Sequence, residues 1–269
     1  MHWHQDLECS DFFQPQDVGI VKISIITAVY NREATIAQAI SSVKNQTHAD
    51  VEHLIIDGAS RDGTLAAIEV AWHDRMRFVS EPDEGIYDAL NKGIALATGD
   101  VVGMMHSDDF FVHDEVLAKV AAAFGKADIM AVYGDLDYVM AEDETRVVRH
   151  WRSGTYSPKK LRRGWMPPHP TLFLRREVFE RQGLYDMSFR IAADYEAILR
   201  YFSREDLRPV YIPEVLVKMR LGGASNRSLM QILHKSREDY RALRKNGIGG
   251  LSALAWKNLS KLGQFVVRE

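Results

Sequence analysis

Residues 21–57 read VKISIITAVYNREATIAQAISSVKNQTHADVEHLIID, and the fold is decided in this stretch. The run at 21–29 is apolar and rich in β-branched residues with few polar interruptions, as a strand buried on both faces requires. Beyond it the period lengthens. Ile36, Ala39, Ile40 and Val43 fall on one stripe, which predicts a helix over 34–46. A second apolar run at 51–56 predicts the return of a strand. Strand, helix and strand in this order form a βαβ unit, whose strands are parallel and whose crossover is right-handed.

The alternation continues outward. A helix is predicted over 64–73, a strand over 77–80, a helix over 86–97 and a strand over 101–105, the pattern of an α/β chain with a mostly parallel central sheet flanked by helices. Parallel strands bring their carboxyl ends to one edge, and ligands bind there. Tyr30 and Asn31 follow the first strand, Asp57 the second, Glu81 and Asp83 the third, and His106, Ser107, Asp108 and Asp109 the fourth. Asp and Asn favour turns in any protein; their recurrence at four strand ends points to one crevice. The run Asp57-Gly58-Ala59-Ser60-Arg61-Asp62-Gly63-Thr64 matches neither the dinucleotide fingerprint nor the Lys-containing phosphate loop. A nucleotide ligand would then have its phosphates neutralised by a carboxylate-held divalent ion, a role that suits Asp108 and Asp109. The same two residues suit a turn or cap ahead of 110–124 equally well.

Four ordered segments, VKISIITAVYN at 21–31, IIDGASRDGT at 55–64, SEPDEGIYDALNKGIALATG at 80–99 and HSDD at 106–109, resemble the inverting family-two glycosyltransferases. The resemblance spans roughly residues 21–225. It implies the GT-A fold and a nucleotide-diphosphate sugar donor, with Tyr30, Asn31, Asp57, Asp88, Asp108 and Arg220 on the donor side. It also implies Mn²⁺ or Mg²⁺ held at Asp109 in an Asp-x-Asp-like motif. Two positions depart from the family pattern. Many relatives carry a second Asp where this chain has Gly58, and Asn where it has His106.

The second half is mixed. A helix is predicted over 115–124, strands near 129–133 and 146–151, a stiff proline-rich loop at 166–170, a strand over 171–174 and a helix over 176–182. Loop-rich halves of this kind carry acceptor specificity. His169 resembles a family histidine that precedes the same strand, a candidate acceptor contact; a structural role is equally open. Ile191, Tyr195, Ile198, Leu199 and Phe202 share a helical stripe, with Asp194 at its border and Glu196 on the far side. A border carboxylate is partly desolvated, and the expectation is a raised pKa suited to a general base. Stabilisation of the helix start is the other role open to it. The Ala-Asp-Tyr-Glu run resembles the family's catalytic-base motif, which implies that Asp194 removes the acceptor's proton. Arg220 precedes a Gly-Gly-Ala-Ser run at 222–225, expected either to close over the donor or to serve as a hinge.

Composition narrows the classes further. Of 269 residues, 46% are hydrophobic and 26% charged, which excludes disordered and collagen-like chains. Cys9 has no partner cysteine, so a disulfide framework and a Cys-based zinc site are excluded. The net charge of −3 offers no overall attraction to nucleic acid, and no nucleic-acid partner is expected. No run approaches the roughly 20 apolar residues of a membrane span, and 1–20 lacks the basic start and apolar middle of a signal peptide. The expectation is a cytoplasmic protein, in parts: a flexible extension at 1–20, a nucleotide-sugar-binding half at 21–110, an acceptor-binding half at 111–225, and a basic helical segment at 226–269.

That last segment holds nine basic residues against three acidic ones. Leu251, Leu254, Ala255 and Leu259 keep helical spacing with Lys257 and Lys261 opposite, so a basic amphipathic helix is expected. Such a helix either covers a core or lies on an anionic membrane, in which case the protein is peripheral on the inner face of the plasma membrane. The family resemblance implies a saccharide or lipid-linked saccharide acceptor of the cell envelope, hence polysaccharide biosynthesis. Two other functions fit the same sheet: a nucleotidyltransferase, and a nucleotide-sugar-binding protein without turnover.

Overall fold

A computed structural model describes residues 21–221 and 229–260. The 1–20 extension, the 222–225 run and Lys261 lie outside the described residues. The first half follows the periodicity closely: β1 (Ile23–Val29), α1 (Ile36–Lys44), β2 (Val51–Asp57), α2 (Thr64–Val70), β3 (Met76–Ser80), α3 (Ile86–Leu96) and β4 (Val101–Met104). After these come β5 (Asp109–Phe111), α4 (Val116–Ala123), β6 (Ala131–Met140), β7 (Val147–Trp151), α5 (Pro158–Leu161), β8 (Phe173–Arg175), α6 (Arg176–Gln182), α7 (Ala193–Phe202), β9 (Pro209–Leu221), α8 (Leu229–Lys245) and α9 (Leu251–Ser260).

Among the described residues the strands form one sheet in the order β3-β2-β1-β4-β8-β6-β9-β5, with β7 paired to β6. The run β3-β2-β1-β4 is parallel. Beyond it the sheet is mixed: β8 runs antiparallel to β4 and β6, β6 and β9 are parallel, and β5 is antiparallel to β9. Helices cover both faces. Ala39 and Val43 of α1 pack with Val116, Leu117 and Val120 of α4 on one; Ala89, Leu90 and Ile94 of α3 pack with α7 on the other. Gly93 lets α3 lie close on β1, because a Cβ there would come within 2.4 Å of Ile26.

β5 escapes the sequence reading because three residues are too few to show a period; pairing with Met219, Lys218 and Val217 of β9 makes it a strand. Glu196 also departs from expectation. It is fully buried, not on an open far side, because α8 covers that face and Lys245 and Arg200 pair with the carboxylate at 2.9 and 3.1 Å. The largest inversion is at α9. Lys257 points inward, 2.8 Å from Asp239 and 3.2 Å from the Tyr195 ring centroid, while Leu251, Trp256 and Leu259 are 72%, 52% and 61% exposed. A buried ion pair with a cation–π contact outweighs the hydrophobic stripe in setting the helix's rotation. No helix among the described residues is long and apolar enough to cross a membrane.

The core also holds a neutral histidine pair. His53 Nε2 lies 3.0 Å from Thr27 Oγ1, and its Nδ1 lies 3.4 Å from His73 Nε2. Burial above all pushes both pKa values down, His53 to about 3 and His73 to about 4, with Arg75 adding to each. Folded, the rings stay neutral; unfolded, they take up protons below about pH 6.5. Stability is therefore complete above that pH and is lost as pH falls toward the folded pKa values, by up to about 1.4 kcal/mol per pH unit for each ring. Urea midpoints should fall between pH 7 and pH 5, and His53→Gln should flatten that slope. An unchanged slope would remove the pair as its source.

Candidate active site

The carboxyl ends of β1 to β4 meet at one edge, and the first two loops are laced together there. The Asn31 amide donates to Ser60 Oγ at 2.9 Å, the Arg61 amide to Asn31 Oδ1 at 2.9 Å, and the Arg32 amide to Thr64 Oγ1 at 2.7 Å. Asn31 and Ala59 take positive φ of 50° and 61°, strained conformations that this lacing holds. Tyr30, at the tip, is 53% exposed. Asp57 is fully buried and accepts from the Ser60 amide at 3.1 Å, from the Ser60 hydroxyl, and from the Ser80 hydroxyl at 2.6 Å. It organises the loops around it.

Beside it, Gly58 leaves a notch that Asp83 fills. A Cβ at position 58 would stand 2.4 Å from Asp83 Oδ2, and Asp83 Oδ1 is tied to the Gly85 amide at 2.9 Å. A carboxylate thus occupies the place beside Asp57, arriving from the loop after β3. Asp83 was legible only as one acid among several at a strand end; its proximity to Gly58 is a tertiary fact. Asp88, in the first turn of α3, accepts from the Glu84 amide at 3.1 Å and pairs with Lys92 at 3.3 Å, bracing the same loop.

At the end of β4 the two acids differ sharply. Asp108 is half-buried, and its carbonyl accepts from the Arg220 guanidinium at 2.6 Å. Asp109 is fully buried, and neither of its carboxylate oxygens has a hydrogen-bond partner among the described residues. Burial first, then the charge of Asp108, pushes the Asp109 pKa well above the ordinary carboxylate range, and Arg220 offsets this only in part. An orphaned buried carboxylate beside a second acid fits a cation. Among the described residues no three His, Cys, Asp or Glu side chains could hold a metal by themselves, so the fit is to an ion that takes its remaining ligands from the donor's phosphates. Arg220 is buried against Glu144 at 2.5 Å and also reaches Gln38. It braces the acid loop from behind.

His106 and His169 stack with ring centroids 5.5 Å apart, and His169 Nε2 lies 2.7 Å from the Tyr185 hydroxyl. Burial lowers both pKa values, that of His169 to about 4. The stack leads toward the helix-start acid, because the Tyr185 ring lies 5.6 Å from that of Tyr87, whose hydroxyl meets Asp194. Asp194 stands in the first turn of α7, half-buried and in no ion pair among the described residues. Its Oδ1 accepts from the Tyr195 amide at 2.7 Å and lies 3.2 Å from the Tyr87 hydroxyl. The expected raised pKa is not found. Burial raises it, but His169, Lys235, the Tyr195 amide and Lys257 together pull harder, and the carboxyl is held below the ordinary aspartate value. Tyr87, which the sequence reading passed over, places α3 against this acid.

With this geometry in place, comparison with known proteins identifies the class. Residues 24–183 match Glycosyl transferase family 2, and the chain belongs to that family. It is a glycosyltransferase with the nucleotide-sugar-binding GT-A fold. An uncharacterized glycosyltransferase of Mycobacterium tuberculosis (strain CDC 1551 / Oshkosh) is 34% identical over 66% of this chain and 68% of its own length. A PGL/p-HBAD biosynthesis glycosyltransferase of Mycobacterium bovis (strain BCG / Pasteur 1173P2) is 31% identical over 76% and 78%. In structure, the mannosyltransferase PcManGT from Pyrobaculum calidifontis, solved with GDP-Man and Mn²⁺, superposes with a TM-score of 0.66 at 18% identity, over 94% of this chain and 74% of that one.

The notch at Gly58 is open to test. Gly58→Ala should displace Asp83 and lower thermal stability by about 1 kcal/mol, the order of an overpacking strain. Added to an Asp83→Gly background, the same change should cost almost nothing. Equal costs in both backgrounds would show that the two positions do not meet.

Proposed function

We propose that this chain is an inverting glycosyltransferase. It would move a sugar from a nucleotide-diphosphate sugar to a hydroxyl of a saccharide or lipid-linked saccharide, with Asp194 as general base and a divalent ion on the diphosphate. The observation that supports this reading is a continuous chain of contacts between the two acids' loops: His106, two residues before Asp108, stacks on His169, His169 meets the Tyr185 hydroxyl, the Tyr185 ring lies against Tyr87, and Tyr87 meets Asp194. A base on one side and an acid loop on the other are what a displacement at an anomeric carbon needs.

Among the described residues the polar contacts of Asp194 with the Tyr195 amide and the Tyr87 hydroxyl both fall on Oδ1, which leaves Oδ2 for the acceptor hydroxyl. Its lowered pKa keeps it ionised at neutral pH and ready to accept a proton as the acceptor oxygen attacks. The His106/His169 stack lines the space between. Tyr30 offers an exposed ring for the nucleobase, with Asn31, Asp57 and Asp83 shaping the pocket beneath it. Asp108 and Asp109 would hold Mn²⁺ or Mg²⁺, which supplies charge stabilisation to the departing nucleoside diphosphate. The Mn²⁺ and GDP-Man of the PcManGT structure support this assignment.

The acceptor side carries the membrane proposal in altered form. The outward face of α9 offers Leu251, Trp256 and Leu259, and Arg163 sits 5.3 Å from the Trp256 ring. Lys159, Lys160, Arg162 and Arg163 are exposed alongside. An apolar ridge with a tryptophan, flanked by basic residues, suits the surface of an anionic bilayer, and a lipid-linked envelope acceptor would be met there.

Two experiments decide these points. Asp194→Asn should retain donor-induced thermal stabilisation in Mn²⁺ while transfer falls by about 10²- to 10⁴-fold; turnover within a few-fold would remove Asp194 from the chemistry. Donor binding by the unmodified protein with neither transfer nor hydrolysis would leave a binding protein. Separately, the protein should sediment with vesicles containing phosphatidylglycerol at low salt, and Trp256→Ser with Leu259→Ser should weaken this at least about tenfold. Equal sedimentation of variant and parent would refute the ridge.

A further inference from the structure

The start of α7 has no cap of its own. Ala192 stands at the N-cap, and no side chain of the 190–193 region accepts from the helix amides. The backbone that leads into it is held by another helix. Glu238 of α8, more than forty residues later, accepts from three consecutive amides, Arg190 at 3.1 Å on Oε1 and Ile191 and Ala192 at 2.8 and 2.9 Å on Oε2. One carboxylate thus closes a concave run of N–H groups at the positive end of the helix that presents Asp194 two residues later.

The same segment is held from its other side. The Ile191 carbonyl accepts from the Tyr87 hydroxyl at 3.0 Å, and that hydroxyl also lies 3.2 Å from Asp194 Oδ1. Asp194 is therefore framed between α3 and α8. The rest of α8 follows the same line. Arg241 reaches Ser188 and stacks 3.9 Å over the Phe189 ring, and Lys245 bonds Asp186 at 2.7 Å and Glu196 at 2.9 Å. Residues 238, 241 and 245 share one helix face, so α8 lies along the 186–196 segment as a splint.

We propose that Glu238 is a positioning residue for catalysis: its grip on the 190–192 backbone sets the height and direction of Asp194, making the C-terminal helix part of the base's machinery. This rests on the reading of Asp194 as general base. Charged acceptors bind backbone amides strongly, and displacement of a reacting group by about 1 Å can cost about 100-fold in rate. The hydrogen bonds of Glu238 among the described residues go to the 190–192 backbone, not to the loops after β1 to β4 assigned to the donor, so donor binding and base alignment are separable.

The test uses the full chain with Glu238→Ala and Glu238→Gln, a saccharide acceptor and a nucleotide-sugar donor. Glu238→Ala should lower kcat by about 10- to 100-fold with the donor KM within about two-fold, the signature of an interaction that matters at the transition state. Glu238→Gln keeps one acceptor oxygen and should fall between Ala and the parent. Parental kcat in a folded Glu238→Ala overturns the proposal, and so does an equal loss in donor binding. If Ala fails to fold, hydrogen exchange of the parent decides: the amides of 190–192 should be protected, and exchange at the rate of an open loop overturns it. Asp194→Asn in the same assay separates the two ideas. Retained turnover there defeats the base reading; a dead Asp194→Asn beside a fully active Glu238→Ala defeats only this inference.

Discussion

The strand order β3-β2-β1-β4, all parallel and all crossed over in one hand, is the constraint on which the site depends. It sends four loops to one edge whatever their sequences. A single loop of this kind would be weakly held, because its backbone groups face solvent. Here Asn31, Ser60, Arg61 and Thr64 bind one another across the first two loops, and Asp57 anchors the pair from below through Ser60 and Ser80. This edge is thus a built surface, stiff enough to tolerate two residues in left-handed conformation.

Against that stiff edge the second half brings a helix start. α7 is buried on nearly every face, between the sheet and α8, and the position of Asp194 follows from that packing. The charges around it are arranged with the same logic. Asp57 is saturated with donors and plays a structural part. Asp109 is buried with none among the described residues, a state that protonation or a cation relieves. Asp194 lies between, with one oxygen anchored and the carboxyl kept ionised by positive charge from α8 and α9. Three aspartates on one edge serve three purposes because their neighbours differ.

Much of this was legible in the order of residues. The period of 21–57 gives β1, α1 and β2 within a few residues, and Tyr30, Asp57, Asp108 and Asp194 stand where turn chemistry and helix geometry place them. The failures share one physical cause: they concern faces whose partner comes from far along the chain. Lys257 looked like the solvent side of α9 because lysine usually is; Asp239 and the Tyr195 ring turned it inward. Glu196 looked exposed until α8 covered it. Asp194 looked like a carboxyl with a raised pKa, since burial alone raises it, but Lys235 and Lys257 belong to helices whose packing no local pattern reveals.

Sequence alone determined the elements, their alternation and the edge where chemistry gathers, because those follow from periods of two and 3.6 residues and from chirality. Only the tertiary structure decided which carboxylate is saturated, which is orphaned, that Asp83 fills the space Gly58 leaves, and that Glu238 holds the backbone entering a helix more than forty residues upstream. Burial and electrostatic partnership are properties of neighbours in space, and a chain read one residue at a time carries no record of which distant side chains will meet.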